Sequence, residues 1–153
     1  MRIAFGSNHR GYVTGRRVME LLGQLGHAVE DLGASGEEPV DYPDIAARVA
    51  RKVSRAEADR GILISGIGAG MCIAANKFPG VRAVLCHNET TAELSRRQID
   101  ANVICLSAYF LGESLICRMV ELWLATPFDG GHHARRIEKI SALERRWLGC
   151  EER

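Results

Sequence analysis

The sequence predicts an α/β domain in which helices cover both faces of a parallel sheet. Short apolar, β-branched runs alternate with segments of helical spacing along the chain, and this alternation implies parallel strands joined by right-handed crossovers. Several runs are continuously apolar, which is typical of strands buried on both faces. A chain of 153 residues has room for one domain of ordinary size, so we expect a single domain over residues 1–153.

Five apolar runs are the predicted strands, and apolar residues spaced by three and four predict the helices between them. The strands are expected at residues 3–6, 28–32, 61–65, 83–87 and 103–106. The helical spacing is carried by Val18, Leu21, Leu22 and Leu25, by Ile45, Val49 and Val53, and by Ile116, Met119, Val120 and Trp123.

A last helix is predicted at about residues 135–148, with Ile137, Ile140 and Trp147 in one apolar stripe. It follows a flexible Gly130-Gly131 turn that can direct it away from its own sheet. Because an exposed apolar stripe needs a partner surface, we expect residues 135–148 to form an oligomerisation helix in at least a dimer.

Composition and charge argue against several classes of protein. Twenty basic residues against nineteen acidic ones leave a formal net charge of +1, whereas nucleic-acid and anionic-membrane partners favour a large positive excess. No apolar run has the length of a membrane span, and the N-terminal residues lack the apolar stretch of a signal peptide. We therefore expect a cytoplasmic protein with neither nucleic acid nor membrane as its partner.

The cysteine pattern points to a reducing compartment. Five cysteines form no CxxC pair, and four of them lie in apolar context; they are Cys72, Cys86, Cys105, Cys117 and Cys150. An odd set of this kind predicts reduced, buried thiols, with no disulfide framework and no structural zinc.

Ligands of parallel sheets bind beyond the carboxyl ends of the strands, which selects the loops at residues 7–11, 65–71, 87–91 and 107–112. The second loop carries Gly66, Gly68 and Gly70 between a buried strand and a short helix. Glycines allow a tight turn and leave N–H groups exposed at a helix start, which suits an anion or a polarised oxygen. The spacing is not the dinucleotide G-x-G-x-x-G, and it leaves open an oxygen-binding cradle or a structural turn.

Two further segments carry polar candidates. His9 follows the first strand, where it either donates a hydrogen bond to a substrate oxygen or packs on its own loop. His132, His133, Arg135 and Arg136 stand at the start of the last helix. Adjacent histidines point to different helix faces and make a poor metal site. Arginine near a helix N-terminus favours an anionic partner, and a solvated charged turn is the alternative.

These segments match a known family in one order and at matching lengths. The most specific stretches are residues 3–12 (IAFGSNHRGY), 40–44 (VDYPD), 61–77 (GILISGIGAGMCIAANK), 80–87 (GVRAVLCH), 100–103 (DANV) and 126–131 (TPFDGG). The chain resembles the ribose-5-phosphate isomerase B / galactose-6-phosphate isomerase family from residue 1 to about residue 143.

The resemblance implies a Rossmann-like three-layer α/β/α sandwich with a five-stranded parallel sheet and a C-terminal helix that reaches to a partner subunit. It implies an aldose–ketose isomerase that acts on a sugar or sugar phosphate through an enediolate, with no metal or organic cofactor. A base removes the proton beside the carbonyl, and backbone N–H groups of the glycine loop hold the oxyanion. The site draws on two subunits of a homodimer or homotetramer, or of a hetero-oligomer as in the two-subunit galactose-6-phosphate isomerases.

The resemblance also implies which residues form the site, and several depart from the family pattern. His9, Gly66, Gly68, Gly70 and Arg136 match substrate-binding positions, with Ala69 in the same loop. The departures are Asn8 for an aspartate, Ser65 for the cysteine base, Ile67 for a threonine or serine, Met71 for a glutamate that some members use, Gln98-Ile99 for a His-Asn pair, and Tyr109 and His132 for phosphate-binding arginines. Ser65 and Gln98 are thus the implied catalytic positions, and the others, apart from Met71, bind substrate.

Three functions from different classes follow. The first is an isomerase with an altered base, since a serine hydroxyl, unlike a cysteine thiol, needs a separate base to activate it. The second is a catalytically impaired member that binds a sugar phosphate or forms one subunit of a mixed assembly. The third is a flavodoxin-like module that binds a nucleotide or flavin, which the fold and the glycine loop favour but the missing acidic ribose partner and the family resemblance disfavour. The surviving glycine loop, His9 and Arg136 favour the first function.

Overall fold

The computed structural model describes residues 1–149. Five strands alternate with six α-helices along this part of the chain, and a short 3-10 turn at His9–Gly11 leads into the first helix. The strands are β1 (Arg2–Ser7), β2 (Ala28–Asp31), β3 (Arg60–Ser65), β4 (Ala83–Leu85) and β5 (Val103–Ser107). The helices are α1 (Tyr12–Gln24), α2 (Tyr42–Ser54), α3 (Ala69–Ala75), α4 (Glu89–Arg97), α5 (Glu113–Ala125) and α6 (His132–Trp147).

The strands form one all-parallel sheet in the order β2-β1-β3-β5-β4, which confirms the predicted α/β class. The chain first moves from β1 outward to β2 and then returns to the other side of β1 to form β3. The topological switch point therefore lies between β1 and β3. Ser65 is paired in register with Ser107, and Ile64 with Ser7, so β1, β3 and β5 end at the same edge of the sheet.

Each face of the sheet has its own apolar core. Phe5, Ile62 and Ile64 face the side covered by α1, α4 and α5, where Trp123 of α5 is fully buried. Residues of alternate register, such as Leu63, face α2 and α3 on the other side. This two-sided burial explains the continuously apolar strands, because both sets of alternating side chains leave water.

The predicted helical faces of α1, α2 and α5 are confirmed, except that Leu21 is half-buried and Leu25 is exposed. The apolar positions of α2 and α5 that were predicted from spacing are buried, as are Val18 and Leu22 of α1. Leu25 is 40 % exposed, because α1 ends at Gln24 and Leu25 is already its C-cap. Among the described residues, no helix combines the length and the apolar character needed to cross a membrane.

Helix α6 contributes no residue to either core. It is joined to the body by a hydrogen bond from the Gly80 N–H to Glu144 Oε2, at 2.8 Å. Of the predicted stripe, Ile137 is half-buried, while Ile140 and Trp147 are 50 % and 88 % exposed. Two of the three stripe residues, Ile140 and Trp147, are therefore largely uncovered within residues 1–149. A partner surface for the stripe, and the single domain over residues 1–153, remain predictions.

A buried arginine links three elements on the α5 side of the sheet. The guanidinium of Arg96 lies 5.8 Å from the Trp123 ring centroid and donates to Asp100 Oδ1 at 2.9 Å. It also donates to the carbonyl oxygens of Ala101 and Thr126, at 2.5 and 3.3 Å. These bonds tie the end of α4 to the start of β5 and to the end of α5, and they anchor the segment that carries residues 98 and 99.

The four described cysteines are free thiols, and Cys150 lies outside the described residues. Cys86 and Cys105 are buried, as predicted, but Cys72 and Cys117 are half-buried. Donation from the Cys105 thiol, and secondarily from the Leu85 backbone, lowers the pKa of Cys72 to about 7 although burial opposes the shift. Cys72 is thus only partly buried, against the prediction, and with a pKa of about 7 part of its thiol is ionised near neutral pH.

Replacing Arg96 by alanine is expected to lower the free energy of unfolding by about 2–3 kcal/mol, because two buried carbonyl groups and Asp100 lose their donor. Urea denaturation followed by circular dichroism measures this change. The matched control is Arg97→Ala on the same helix, whose ion pairs with Asp129 and Glu93 lie at the surface, so its loss should be much smaller. Equal losses in the two variants would contradict the structural role of Arg96.

Iodoacetamide is expected to label Cys72 first, with a rate that rises through a midpoint near its pKa of about 7, because the thiolate is the reactive form. Burial raises the pKa of Cys117, the other half-buried thiol, which therefore serves as an internal comparison. Peptide mass spectrometry of a Cys150→Ser protein resolves the two sites. Faster labelling of Cys117 at pH 7, or a Cys72 midpoint near that of a free thiol, would contradict the assignment.

Candidate active site

A cavity of about 210 Å³ opens at the carboxyl ends of β1 and β3, at the predicted switch point. It is lined by Asn8, Arg10, Tyr42, Ser65, Gly66, Ile67, Gly70 and Tyr109. Six of these residues were predicted from the sequence, whereas Arg10 and Tyr42 were not. A larger cavity of about 290 Å³ lies between the loop after β2 and the start of α2, and it contains no residue of the glycine loop.

Asn8 holds the turn after β1. Its side-chain Oδ1 accepts hydrogen bonds from the N–H groups of Arg10 and Gly11, at 3.0 and 3.1 Å, and so caps the 3-10 turn. Its own N–H donates to the Ile64 carbonyl of β3 at 3.1 Å. The amide thus fulfils a capping role that a carboxylate could also fulfil, but it does so without placing a negative charge in the cavity.

His9 is held in one ring orientation by the chain segment before α2. The Val40 N–H donates to His9 Nδ1 at 3.2 Å. In the neutral ring the proton is then carried by Nε2, which makes this nitrogen a hydrogen-bond donor. His9 does not itself line the cavity, so its predicted contact with substrate remains a prediction.

Ser65 ends β3 at the floor of the cavity and is 5 % exposed. Its Oγ accepts a hydrogen bond from the Gly68 N–H at 3.0 Å, so the hydroxyl caps the glycine loop. Within residues 1–149, no carboxylate or imidazole hydrogen-bonds to Ser65 Oγ. The structure therefore positions this hydroxyl as a donor and gives it no partner that could activate it as a base.

The glycine loop is clamped between β3 and the turn after β5. Ser107 Oγ donates to the Gly66 carbonyl at 2.7 Å, and the Tyr109 N–H donates to the same carbonyl at 3.0 Å. Gly68 has φ +77°, and a Cβ there would lie 2.7 Å from Leu85 Cδ1, so both its conformation and its packing require glycine. In the part of the chain that is described, the N–H groups of Ala69 and Gly70 have no acceptor, which leaves them available to an oxyanion.

Two tyrosine rings flank this loop and form walls of the cavity. A Cβ on Gly66 would lie 2.7 Å from Cε2 of Tyr109, and one on Gly70 would lie 2.5 Å from Cε2 of Tyr42. Both glycines therefore allow an aromatic ring to lie directly against the main chain. Tyr42 is the first residue of α2, and its place in the VDYPD stretch was the sequence signal that could have identified it.

The remaining predicted residues lie away from this cavity. Gln98 and Ile99 follow the last residue of α4, and His132 and Arg136 lie on the first turns of α6; all four are exposed. None of them lines the cavity within one copy of residues 1–149. The His132 and His133 rings are in contact, with centroids 4.0 Å apart, although adjacent helical residues were expected to diverge. No cluster of three or more metal-ligating side chains is found among the described residues.

Comparison with known proteins gives the family. The model of the Ribose/Galactose Isomerase family matches residues 3–140. Ribose-5-phosphate isomerase B of Escherichia coli K12 is 41 % identical over 145 residues, covering 95 % of this chain and 97 % of that protein. The D-erythrulose-4-phosphate isomerase of Pectobacterium atrosepticum is 36 % identical over 146 residues, covering 94 % of this chain and 95 % of that protein.

Solved structures agree in fold. Ribose-5-phosphate isomerase B of Clostridium thermocellum superimposes with a TM-score of 0.94 at 44 % identity, covering 96 % of this chain and 99 % of that one. The enzyme of Mycoplasma genitalium with bound ribulose 5-phosphate gives a TM-score of 0.91 at 42 % identity, covering 94 % of this chain and 96 % of that one. The predicted resemblance is confirmed: this chain belongs to the Ribose/Galactose Isomerase family.

Proposed function

We propose that this protein is an aldose–ketose isomerase of the ribose-5-phosphate isomerase B type, which interconverts ribose 5-phosphate and ribulose 5-phosphate or a related pair through an enediolate. The observation that carries the proposal is the cavity at the β1/β3 switch point, where free N–H groups of the glycine loop lie beside Ser65. Relatives named ribose-5-phosphate isomerase B and D-erythrulose-4-phosphate isomerase support this reaction class.

The reaction moves one carbon-bound proton between neighbouring carbons. When the C2 proton of the aldose leaves, its electron pair forms the C1–C2 double bond and the carbonyl electrons move onto oxygen. The N–H groups of Ala69 and Gly70 are arranged to stabilise that oxyanion before it forms, which is how preorganised donors lower such a barrier. Return of a proton to C1, with transfer of the C2 hydroxyl proton to O1, completes the ketose.

Ser65 limits the rate at which a proton is removed from C2. Its Oγ already accepts from the Gly68 N–H and keeps its own proton, so it can donate to a substrate oxygen but is a poor base for a C–H bond. We expect enolisation of ordinary sugar phosphates to be slow between pH 6 and 8. Gln98 and Ile99 add no group that titrates in that range.

We infer that the site is completed by a second subunit. Gln98, Ile99, His132 and Arg136 are exposed and lie outside the cavity of their own chain. The apolar stripe of α6 is also exposed, and its burial between two copies would bring the start of α6 to a neighbouring cavity. The free thiols of the described residues suit a reducing compartment, so we place this assembly in the cytoplasm.

Ser65→Cys is expected to raise the rate of C2 deuterium exchange in ribose 5-phosphate by about tenfold, less than the ~10²–10⁴-fold contribution of a well-placed general base. The thiol supplies a titratable base at the end of β3, while Gln98 and Ile99 still leave ring opening impaired. Mass spectrometry of the sugar after incubation in deuterated water measures the exchange.

The matched control is Ser65→Ala, which removes the hydroxyl without adding a thiol and should not accelerate exchange. Fast isomerisation by the unaltered protein that is insensitive to Ser65→Ala would contradict this account and require another base. Absence of C2 exchange in both the unaltered protein and Ser65→Cys, with all tested pentose and hexose phosphates, would refute the proposed function.

Trp147→Glu is expected to convert the assembly to a folded monomer, because a charge would then replace the most exposed apolar ring of a contact expected to bury on the order of 800 Å² per partner. Static light scattering measures the mass, and circular dichroism tests the fold. The control is Val13→Glu, which changes another exposed apolar residue, on α1, and should leave the mass unchanged. A mass unaltered by Trp147→Glu, or a parent protein that is already monomeric, would contradict assembly through α6.

A further inference from the structure

We propose that Arg10 is a further phosphate-binding residue of this cavity, which selects a sugar phosphate over the corresponding neutral sugar. This inference rests on the proposed function, because it assigns a specificity role at the same site. It concerns a residue of the turn after β1 to which the family resemblance assigns no role.

Charge is the first observation. Of the eight residues that line the cavity, Arg10 is the one with a formal charge, and the others are glycines, neutral polar residues, tyrosines and an isoleucine. Within residues 1–149, the Arg10 guanidinium forms no ion pair and no side-chain hydrogen bond. The cavity thus contains one fixed positive charge without a counterion, and a guanidinium binds phosphate oxygens through two parallel N–H donors.

Position is the second observation. The Arg10 N–H donates to Asn8 Oδ1 at 3.0 Å, and the Asn8 N–H donates to the Ile64 carbonyl, directly before Ser65. The next residue, Gly11, lies so close to β3 that a Cβ there would come within 2.7 Å of the Ile64 carbonyl oxygen. The main chain of Arg10 is therefore held against β3, the strand that carries Ser65. Its side chain accordingly starts from a fixed position at the rim of the cavity.

The remaining walls give the anion no other charged partner. Tyr42 and Tyr109 present rings against the glycine loop, and Ile67 is 53 % exposed at the cavity mouth. Such surfaces suit the C–H faces of a sugar and do not neutralise a phosphate dianion. Within its own chain, a phosphate in this cavity would therefore meet its one fixed positive charge at Arg10, whereas a neutral sugar would gain nothing from that charge.

The test compares ribose 5-phosphate with D-ribose, which differ in the phosphate alone, by titration calorimetry. The parent protein is expected to bind ribose 5-phosphate more tightly than ribose. Arg10→Gln should weaken binding of ribose 5-phosphate by roughly 10- to 100-fold, the loss typical of a hydrogen bond to a charged group, and should leave ribose unchanged. Arg10→Lys should restore part of the affinity, because it keeps the charge but loses the planar pair of donors.

The control variant is Arg51→Gln, which removes the same charge from an exposed position in the last turn of α2 and should bind like the parent. Equal affinities of Arg10→Gln and the parent for ribose 5-phosphate, or equal affinities of the parent for the two sugars, would overturn the role of Arg10. C2 deuterium exchange in the parent, measured in parallel, would then still support the isomerase. Phosphate-dependent binding through Arg10 without any exchange would support this inference and refute the proposed reaction.

Discussion

The hydrogen bond from the Gly68 N–H to Ser65 Oγ determines both the shape of the glycine loop and the chemistry that the loop can support. It closes the turn between β3 and α3 and, together with the Ser107 bond to the Gly66 carbonyl, it orients the free N–H groups at the start of α3. The same bond occupies a lone pair of the hydroxyl that stands where the family resemblance places a base. Ser65 therefore preserves the geometry of the loop, although its hydroxyl is a poor base.

A second constraint joins the loop to β1. The Ile64 carbonyl accepts the Asn8 N–H, and Gly11 packs against the same peptide, so the turn after β1 cannot move independently of Ser65. Because the switch point separates the two crossovers, this is the place where side chains from both loops can enter one cavity. The site is thus built on two adjacent strands, and rigid neighbouring elements hold polar groups more accurately than isolated loops do.

The sequence predicts the sheet well, because two-sided burial leaves a strong pattern of apolar residues. It is less accurate where local capping decides the ends of elements. Strand β4 ends at Leu85 and not at residue 87, since the Asn88 and Thr91 side chains form a capping box that begins α4. Helix α6 begins at His132, three residues before the predicted start, because Gly131 adopts φ +57° directly before it.

The candidate site was only partly predictable for a different reason. Glycines that precede a helix are visible in the sequence, and so is a serine at a strand end. Arg10 and Tyr42 become site residues through packing between separate elements, since the ring of Tyr42 reaches the loop only because Gly70 lacks a side chain. Conversely, Arg136 is prominent in the sequence but does not line the cavity of its own chain. The spacing of residues along the chain does not show to which subunit's cavity a helix contributes its side chains.

The substituted positions can be understood as a redistribution of charge within one cavity. Tyr109 stands where the resemblance implies an arginine, and its ring instead lies against Gly66 and forms a wall of the cavity. Asn8 retains the cap of the turn while contributing no negative charge, so the guanidinium of Arg10 has no carboxylate among the residues that line the cavity with it. In our proposal, the positive charge absent at position 109 is supplied at position 10. Anion binding then depends on Arg10, which belongs to the same chain as the glycine loop. Ring opening and proton transfer depend instead on positions 98, 99 and 65, where the departures from the family pattern remove titratable groups. Binding and turnover are therefore separable properties of this protein, and binding is the one that its own residues support more fully.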